Sequence, residues 1–280
     1  MSVQKPVAFS KLRKLPGWLG WADFQILRLL LADQGPSDTS AVAEIGVHHG
    51  KSFIALAASS GQRRMCAIDI FGDQHRNLDH SGEGDKARFL ANLKKFGVDQ
   101  DRLTILENAS EDVSPDALKA AVGPVGLFHI DGGHHEKVVT SDLELACAVA
   151  TEDAIIVIDD VFRPEWPEVS AATFRSTALR AHGFCLFAVG FNKSFFCKTS
   201  HLERYRAVLQ QDWALQQFFA KPYQMEGHDI LVFQTYPLPE WPRGTVLRYY
   251  LSTWHPELFL KLRLWAHRLR RVRRRILRKT

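Results

Sequence analysis

Asp131 closes the apolar run Leu127-Phe128-His129-Ile130, and Asp159 and Asp160 close Ala154-Ile155-Ile156-Val157-Ile158. Carboxylates at the ends of neighbouring buried strands meet at one sheet edge, where ligands of open α/β sheets bind. Crowded carboxylates repel one another unless a positive charge sits among them. A divalent cation, Mg²⁺ first, held by Asp131, Asp159 and Asp160 is the simple candidate, and it would lower the pKa of a hydroxyl bound to it. His134 and His135 follow Asp131 closely. An imidazole, with a free pKa of about 6.5, suits proton removal at neutral pH; His134 is the first candidate base and His135 the second. The competing reading gives the three acids ordinary turn and cap positions. His48, His49, His129, His134 and His135 lack the ligand spacing of a structural zinc site, and His129, inside a strand, reads as a hydrogen-bonded core residue.

A second constellation is Glu44-Ile45-Gly46-Val47-His48-His49-Gly50, between a predicted strand and a helix starting near Lys51. Glycines there let a ligand approach the backbone, and the helix N-terminus favours anionic groups. The spacing offers too few glycines for a dinucleotide fingerprint and is one residue too short for a phosphate-binding P-loop ending in Lys51-Ser52. It does match an acid, one residue, Gly, three residues, Gly. Asp69 then stands where the second strand of a nucleotide-binding fold places an acid for ribose hydroxyls.

These residues need a frame. Strands are predicted at Ala41 to Ile45, Met65 to Ile70, Leu103 to Leu106, Val125 to Ile130 and Ala154 to Ile158. Helices are predicted between them, after an opening helix from Trp21 to Ala32. This alternation predicts an α/β, Rossmann-like, doubly wound sheet, mostly parallel. Phe184 to Val189 and Ser194 to Lys198 flank a turn, so the sheet of about seven strands ends antiparallel. A helix from His201 to Ala220 and a strand from Asp229 to Thr235 follow, and Pro237, Pro239 and Pro242 mark a linker. The domain reading is a helical extension over 1–40, a core over 41–200, an appended helix and strand over 201–236, a linker over 237–255 and a basic amphipathic helix over 256–280.

The composition, 46% apolar and 24% charged, is that of a globular chain. Neither a secretory signal nor a run long enough to span a membrane is present, and the four cysteines read as buried thiols. A cytoplasmic protein is expected. The net charge of +5 is uneven. Residues 256–280 hold ten of the 36 Lys/Arg and one of the 31 acids, which leaves 26 basic against 30 acidic residues, a body of −4.

The stretches Glu44 to Gly50, Ile68 to Gln74, His129 to His134 and Val157 to Val161 resemble the class I S-adenosylmethionine-dependent methyltransferases of the methyltransferase 24 family. Relatives there include macrocin-type sugar O-methyltransferases and cephalosporin hydroxylase-like proteins. The resemblance spans about residues 40 to 200 and implies S-adenosylmethionine as cofactor. It implies that Glu44, Gly46, Val47, His48 and Gly50 border its methionine part, Asp69 and Ile70 its ribose, and Asn108, Ala109 and Ser110 its adenine, with Asp131 also against it. Asp131, Asp159 and Asp160 match the Mg²⁺ acids of metal-dependent members. The implied reaction is O-methylation of a small-molecule hydroxyl, a glycan among the candidates. Two positions depart from relatives. Gly133 stands where macrocin-type enzymes carry Asp, and His134 where catechol-type enzymes carry a Lys base.

The tail is a separate matter. Leu258, Leu262, Trp265, Leu269, Val272 and Ile276 recur at spacings of four and three, a helical stripe, and the opposite face is rich in Arg and Lys. An anionic membrane surface (in the cell, the inner membrane face), a partner helix and the acidic body all fit that pattern. Nucleic acid fits poorly, since no stacking aromatics interleave with the arginines. A homo-oligomer is compatible with all of this.

Overall fold

The computed structural model describes residues 7–35, 39–233 and 245–277. Helices α1 (Phe9–Leu12) and α2 (Trp21–Gln34) open the chain. Then β1 (Ala41–Ile45), α3 (Lys51–Ser59), β2 (Met65–Ile68), α4 (Lys86–Phe96), β3 (Leu103–Leu106), α5 (Pro115–Val122), β4 (Val125–Ile130), α6 (Glu136–Val149) and β5 (Ala150–Asp159) alternate. After β5 come α7 (Pro167–Arg175), α8 (Thr177–Ala181), β6 (Phe184–Val189), β7 (Lys193–Lys198), α9 (Leu202–Gln211), α10 (Trp213–Gln216), β8 (Phe219–Met225) and β9 (His228–Phe233). Helices α11 (Thr245–Trp254) and α12 (Pro256–Leu277) follow.

One sheet carries all nine strands in the order β3-β2-β1-β4-β5-β7-β6-β9-β8. Strands β1 to β5 run parallel, and β7 pairs antiparallel with both β5 and β6. The inner strands are continuous apolar runs because both faces are covered. Val42, Leu127, Ile155 and Phe195 pack on one side with Leu27, Phe53 and Tyr205 of the covering helices. Their chain neighbours Ala43, Phe128, Ile156 and Phe196 pack on the other with Leu118, Leu143 and Val169. Local chemistry sets the helix ends. Asp85 accepts the Arg88 N–H at 2.9 Å to start α4, and Gly97, at φ 70°, ends it.

The sequence predicts about seven strands and one helix through Ala220; the described residues form nine strands and break that helix. Asp212 caps the separate helix α10 by accepting the Leu215 N–H at 2.6 Å. β8 is exposed along most of its length and contains Pro222, so it shows no alternation. It is an edge strand, where proline is tolerated. The predicted linker carries α11 from Thr245, while Pro237, Pro239 and Pro242 lie outside the described residues.

Strand order reverses between β1 and β4, so their carboxyl ends flank a topological switch point. The segments leaving β1, β2, β3, β4 and β5 begin near Gly46, Asp69, Asn108, Asp131 and Asp160, and all five residues line one cavity.

Candidate active site

The cavity has a volume of about 450 Å³, within the range of small-molecule sites. Its floor depends on Gly46. That residue sits at φ 78°, and a Cβ there would lie 1.7 Å from the Asp131 carbonyl oxygen. Only glycine lets the β1 and β4 loops meet backbone to backbone. Gly50, at φ 88°, makes the turn into α3. Val47 and His48 line the cavity beyond Gly46. Burial, then His49 and Lys51, push the His48 imidazole down to about 4, so it is neutral at pH 7.

Asp69 ends β2 as expected. Its carboxylate accepts the backbone N–H of His48 at 2.8 Å and of Phe71 at 2.6 Å, which fixes its orientation beside the cavity. Burial nevertheless raises its pKa above the ordinary value. Ile70, Asn108, Ala109 and Ser110 line the adjoining wall. Asn108 accepts a bond from Arg76 at 3.1 Å, which ties the segment over the site to the end of β3.

His134, on the cavity wall, is held from several sides. Its Nδ1 lies 2.7 Å from Asp79 Oδ2, its backbone N–H donates to the same oxygen at 2.6 Å, and its Nε2 lies 3.5 Å from Asp160 Oδ2. The ring stacks on Trp166, with centroids 4.0 Å apart. Burial pulls its pKa down, but Asp160 and Asp79 outweigh burial and raise it to about 9. His135 lines the cavity too, but its ring is exposed and turns toward Glu168, at 3.5 Å. It lacks the buried carboxylate partner that would orient a base.

The three strand-end acids part company here. Asp131 and Asp160 line the cavity; Asp159 does not. Its two oxygens take the Lys193 ammonium at 2.5 and 2.6 Å, the His129 Nε2 at 2.9 Å and the Asn192 amide at 3.0 Å. Lys193 is fully buried. Although burial disfavours the charged form, Lys193 and His129 hold the Asp159 carboxyl well below its usual range. Burial and the neighbouring Asp159 raise Asp131 well above its own. Glu44 is a second correction. It is buried beneath the glycine loop, away from the cavity lining, where it accepts the Ser52 hydroxyl and lies 3.1 Å from His129 Nδ1. Its role here is to hold the loop and His129.

Two groups among the described residues have ligand atoms within 4.8 Å of one another, His129–Asp131–Asp159 and Asp131–His134–Asp160. The first already contains an ammonium ion. A Mg²⁺ bound by all three expected acids therefore does not fit this arrangement, because the lone pairs of Asp159 are in use. The cavity-facing set is two carboxylates and one imidazole. Neither Asp79 nor Lys193 carries a motif by which the sequence alone would single it out.

An α/β sheet with a cavity at its switch point, a glycine turn after β1 and an acid just after β2 is consistent with a class I S-adenosylmethionine-dependent methyltransferase. Residues 43–161 match the model of a methyltransferase domain, that of the methyltransferase 24 family. No curated protein matches the sequence. Among solved structures, the O-methyltransferase NovP is similar at 14% identity, over 64% of this chain and 80% of that one, with a TM-score of 0.54. The calicheamicin methyltransferase CalS11 is 20% identical over 69% of this chain and 86% of that one, with a TM-score of 0.47. TomG from Streptomyces achromogenes, solved with S-adenosylmethionine, is 17% identical over 66% and 82%, with a TM-score of 0.46. The NovP likeness supports the fold.

Proposed function

We propose that this methyltransferase acts on a hydroxyl oxygen of a small polyhydroxy molecule, a sugar in the first instance. The observation that carries the choice of oxygen is the Asp79–His134–Asp160 row at the cavity wall. A hydroxyl needs a base, and an imidazole oriented from behind by a carboxylate is one. NovP, described as an O-methyltransferase, supports the same accepting atom.

The cavity residues divide the work. With the cofactor bound, Asp69 would offer its carboxylate to ribose hydroxyls, Asn108 to Ser110 would border the adenine, and Gly46 to His48 would face the methionine part. The bound cofactor supplies an electrophilic sulfonium methyl. His134 Nε2 takes the proton of the acceptor hydroxyl as the new carbon–oxygen bond forms and the carbon–sulfur bond breaks, its electron pair staying on sulfur. Asp79 keeps Nδ1 occupied, so the proton goes to Nε2. Trp166 stacks on the ring and shields it from water. Asp160 faces Nε2 and stabilises the imidazolium that results.

Asp159, committed to Lys193, is not free to hold Mg²⁺. The direct test is methyl transfer from labelled S-adenosylmethionine to a panel of sugars and phenols, read by mass spectrometry, with His134→Gln alongside. Product on oxygen that falls at least about a hundredfold in the variant, the range for a general base, supports the reading. Transfer to nitrogen or carbon, or an unaffected variant, refutes it.

A further inference from the structure

We infer that the α11–α12 end of the chain seats on an anionic lipid surface. Of the occupants that fit the stripe, the body does not cover its described part, Leu258 to Leu269. Helix α12 docks on the core through Phe259, which is buried against Phe218, and through Arg263, which donates to Gln217 at 2.9 and 2.7 Å. At about 100° per residue, Leu258, Leu262, Trp265 and Leu269 fall within roughly 60° of one another, well away from that docked side. All four are exposed, Trp265 at 63%. Tyr250 and Trp254 of α11 are exposed as well. So large an apolar row left open by its own fold marks an interaction surface.

Charge identifies the occupant. Lys261 and Arg268, both exposed, border the row, and residues 256–280 carry ten Lys/Arg against one acid. The neighbouring α1 segment adds exposed Lys11, Arg13 and Lys14, and Arg13 shares a groove with Trp254, Leu258 and Lys261. Like charges on two such surfaces oppose pairing with a second copy. Basic side chains around a row of Leu and Trp are what an interfacial helix presents to headgroups and acyl chains. Trp and Tyr rings favour that depth. Among the described residues no helix is long and apolar enough to cross a membrane, so the contact is peripheral.

Co-sedimentation of the full-length protein with phosphatidylcholine–phosphatidylglycerol vesicles, against phosphatidylcholine alone, tests this. Binding is expected to the anionic vesicles and to weaken as salt rises, with each basic residue near the surface contributing roughly fivefold. The double variant Leu262→Ser/Trp265→Ser should lose binding at least about tenfold, and Lys261→Glu/Arg268→Glu likewise. Thermal unfolding and S-adenosylhomocysteine affinity should stay unchanged, because these side chains are exposed and remote from the cavity. Equal binding to neutral vesicles, no binding to either, or a dimer in sedimentation equilibrium that the same substitutions dissociate would each overturn the inference.

Discussion

Replacing Lys193 by Met tests the electrostatics beneath the site most directly. The substitution keeps most of the apolar stem and removes the ammonium that contacts both oxygens of Asp159. Asp159 is then left buried with a histidine and an amide as partners. Removing one member of a buried ion pair costs about 3–5 kcal/mol. With shifts of about 2–4 °C per kcal/mol, and the lower end for a chain this long, the melting temperature should drop by roughly 6–10 °C. Asp159→Asn/Lys193→Met should cost less than the sum of the single variants, since neither charge is then orphaned. The same variants report on metal. If Lys193 is the resident cation, chelator leaves wild-type turnover and melting temperature unchanged, while millimolar Mg²⁺ restores part of the stability of Lys193→Met by filling the vacated charge. Two results would refute the reasoning: a Lys193→Met cost below about 1 kcal/mol, or a wild-type enzyme that chelator silences and Mg²⁺ revives.

The His134 proton gives a pH signature. Its folded pKa, about 9, is above the free value of about 6.5. Its stabilising contribution is therefore complete below about pH 6.5 and is lost as pH rises through about 9. As a base it must be unprotonated, so kcat/KM should climb about tenfold per pH unit from pH 7 and level near pH 9. Asp79→Asn should move that limb to lower pH; a profile flat over this range would falsify the assignment. Gly46→Ala, with its Cβ driven into the Asp131 carbonyl, should cost about 3 kcal/mol or more and abolish cofactor binding; a soluble, binding-competent variant in calorimetry would contradict this. Asp69→Ala should weaken S-adenosylhomocysteine binding at least about tenfold, the worth of a charged hydrogen bond, and an affinity within about twofold of wild type would exclude Asp69 from the ribose site.

Strands β1 to β5 and the residues at their ends are legible because each lesson is local: an apolar run, then glycine or an acid. The cavity wall of Gly46, Asp69, Asn108, Asp131 and Asp160 follows from parallel strands alone. What resists reading is pairing between distant segments. Lys193 meets Asp159 because the antiparallel register of β5 with β7 sets them directly opposite, and no spacing along the chain encodes that register. Likewise Asp79 reaches His134 across 55 positions of sequence through the fold of one loop. Glu44 misleads for a different reason. Its motif neighbours Gly46, Val47 and His48 line the cavity, yet strand alternation turns its own side chain inward to Ser52 and His129. The stripe on α12 reads correctly as helical, while its exposure depends on which residue, Phe259, anchors the helix.

The backbone contact between Gly46 and Asp131 leaves no slack between the donor and acceptor halves of the crevice. Among the segments that wall the cavity, the one over residues 72–85 is pinned by Asp79 to His134. In the proposed reaction Asp79 therefore has two duties: it fastens this segment to the β4 loop, and it strengthens the hold of the His134 imidazole on a proton.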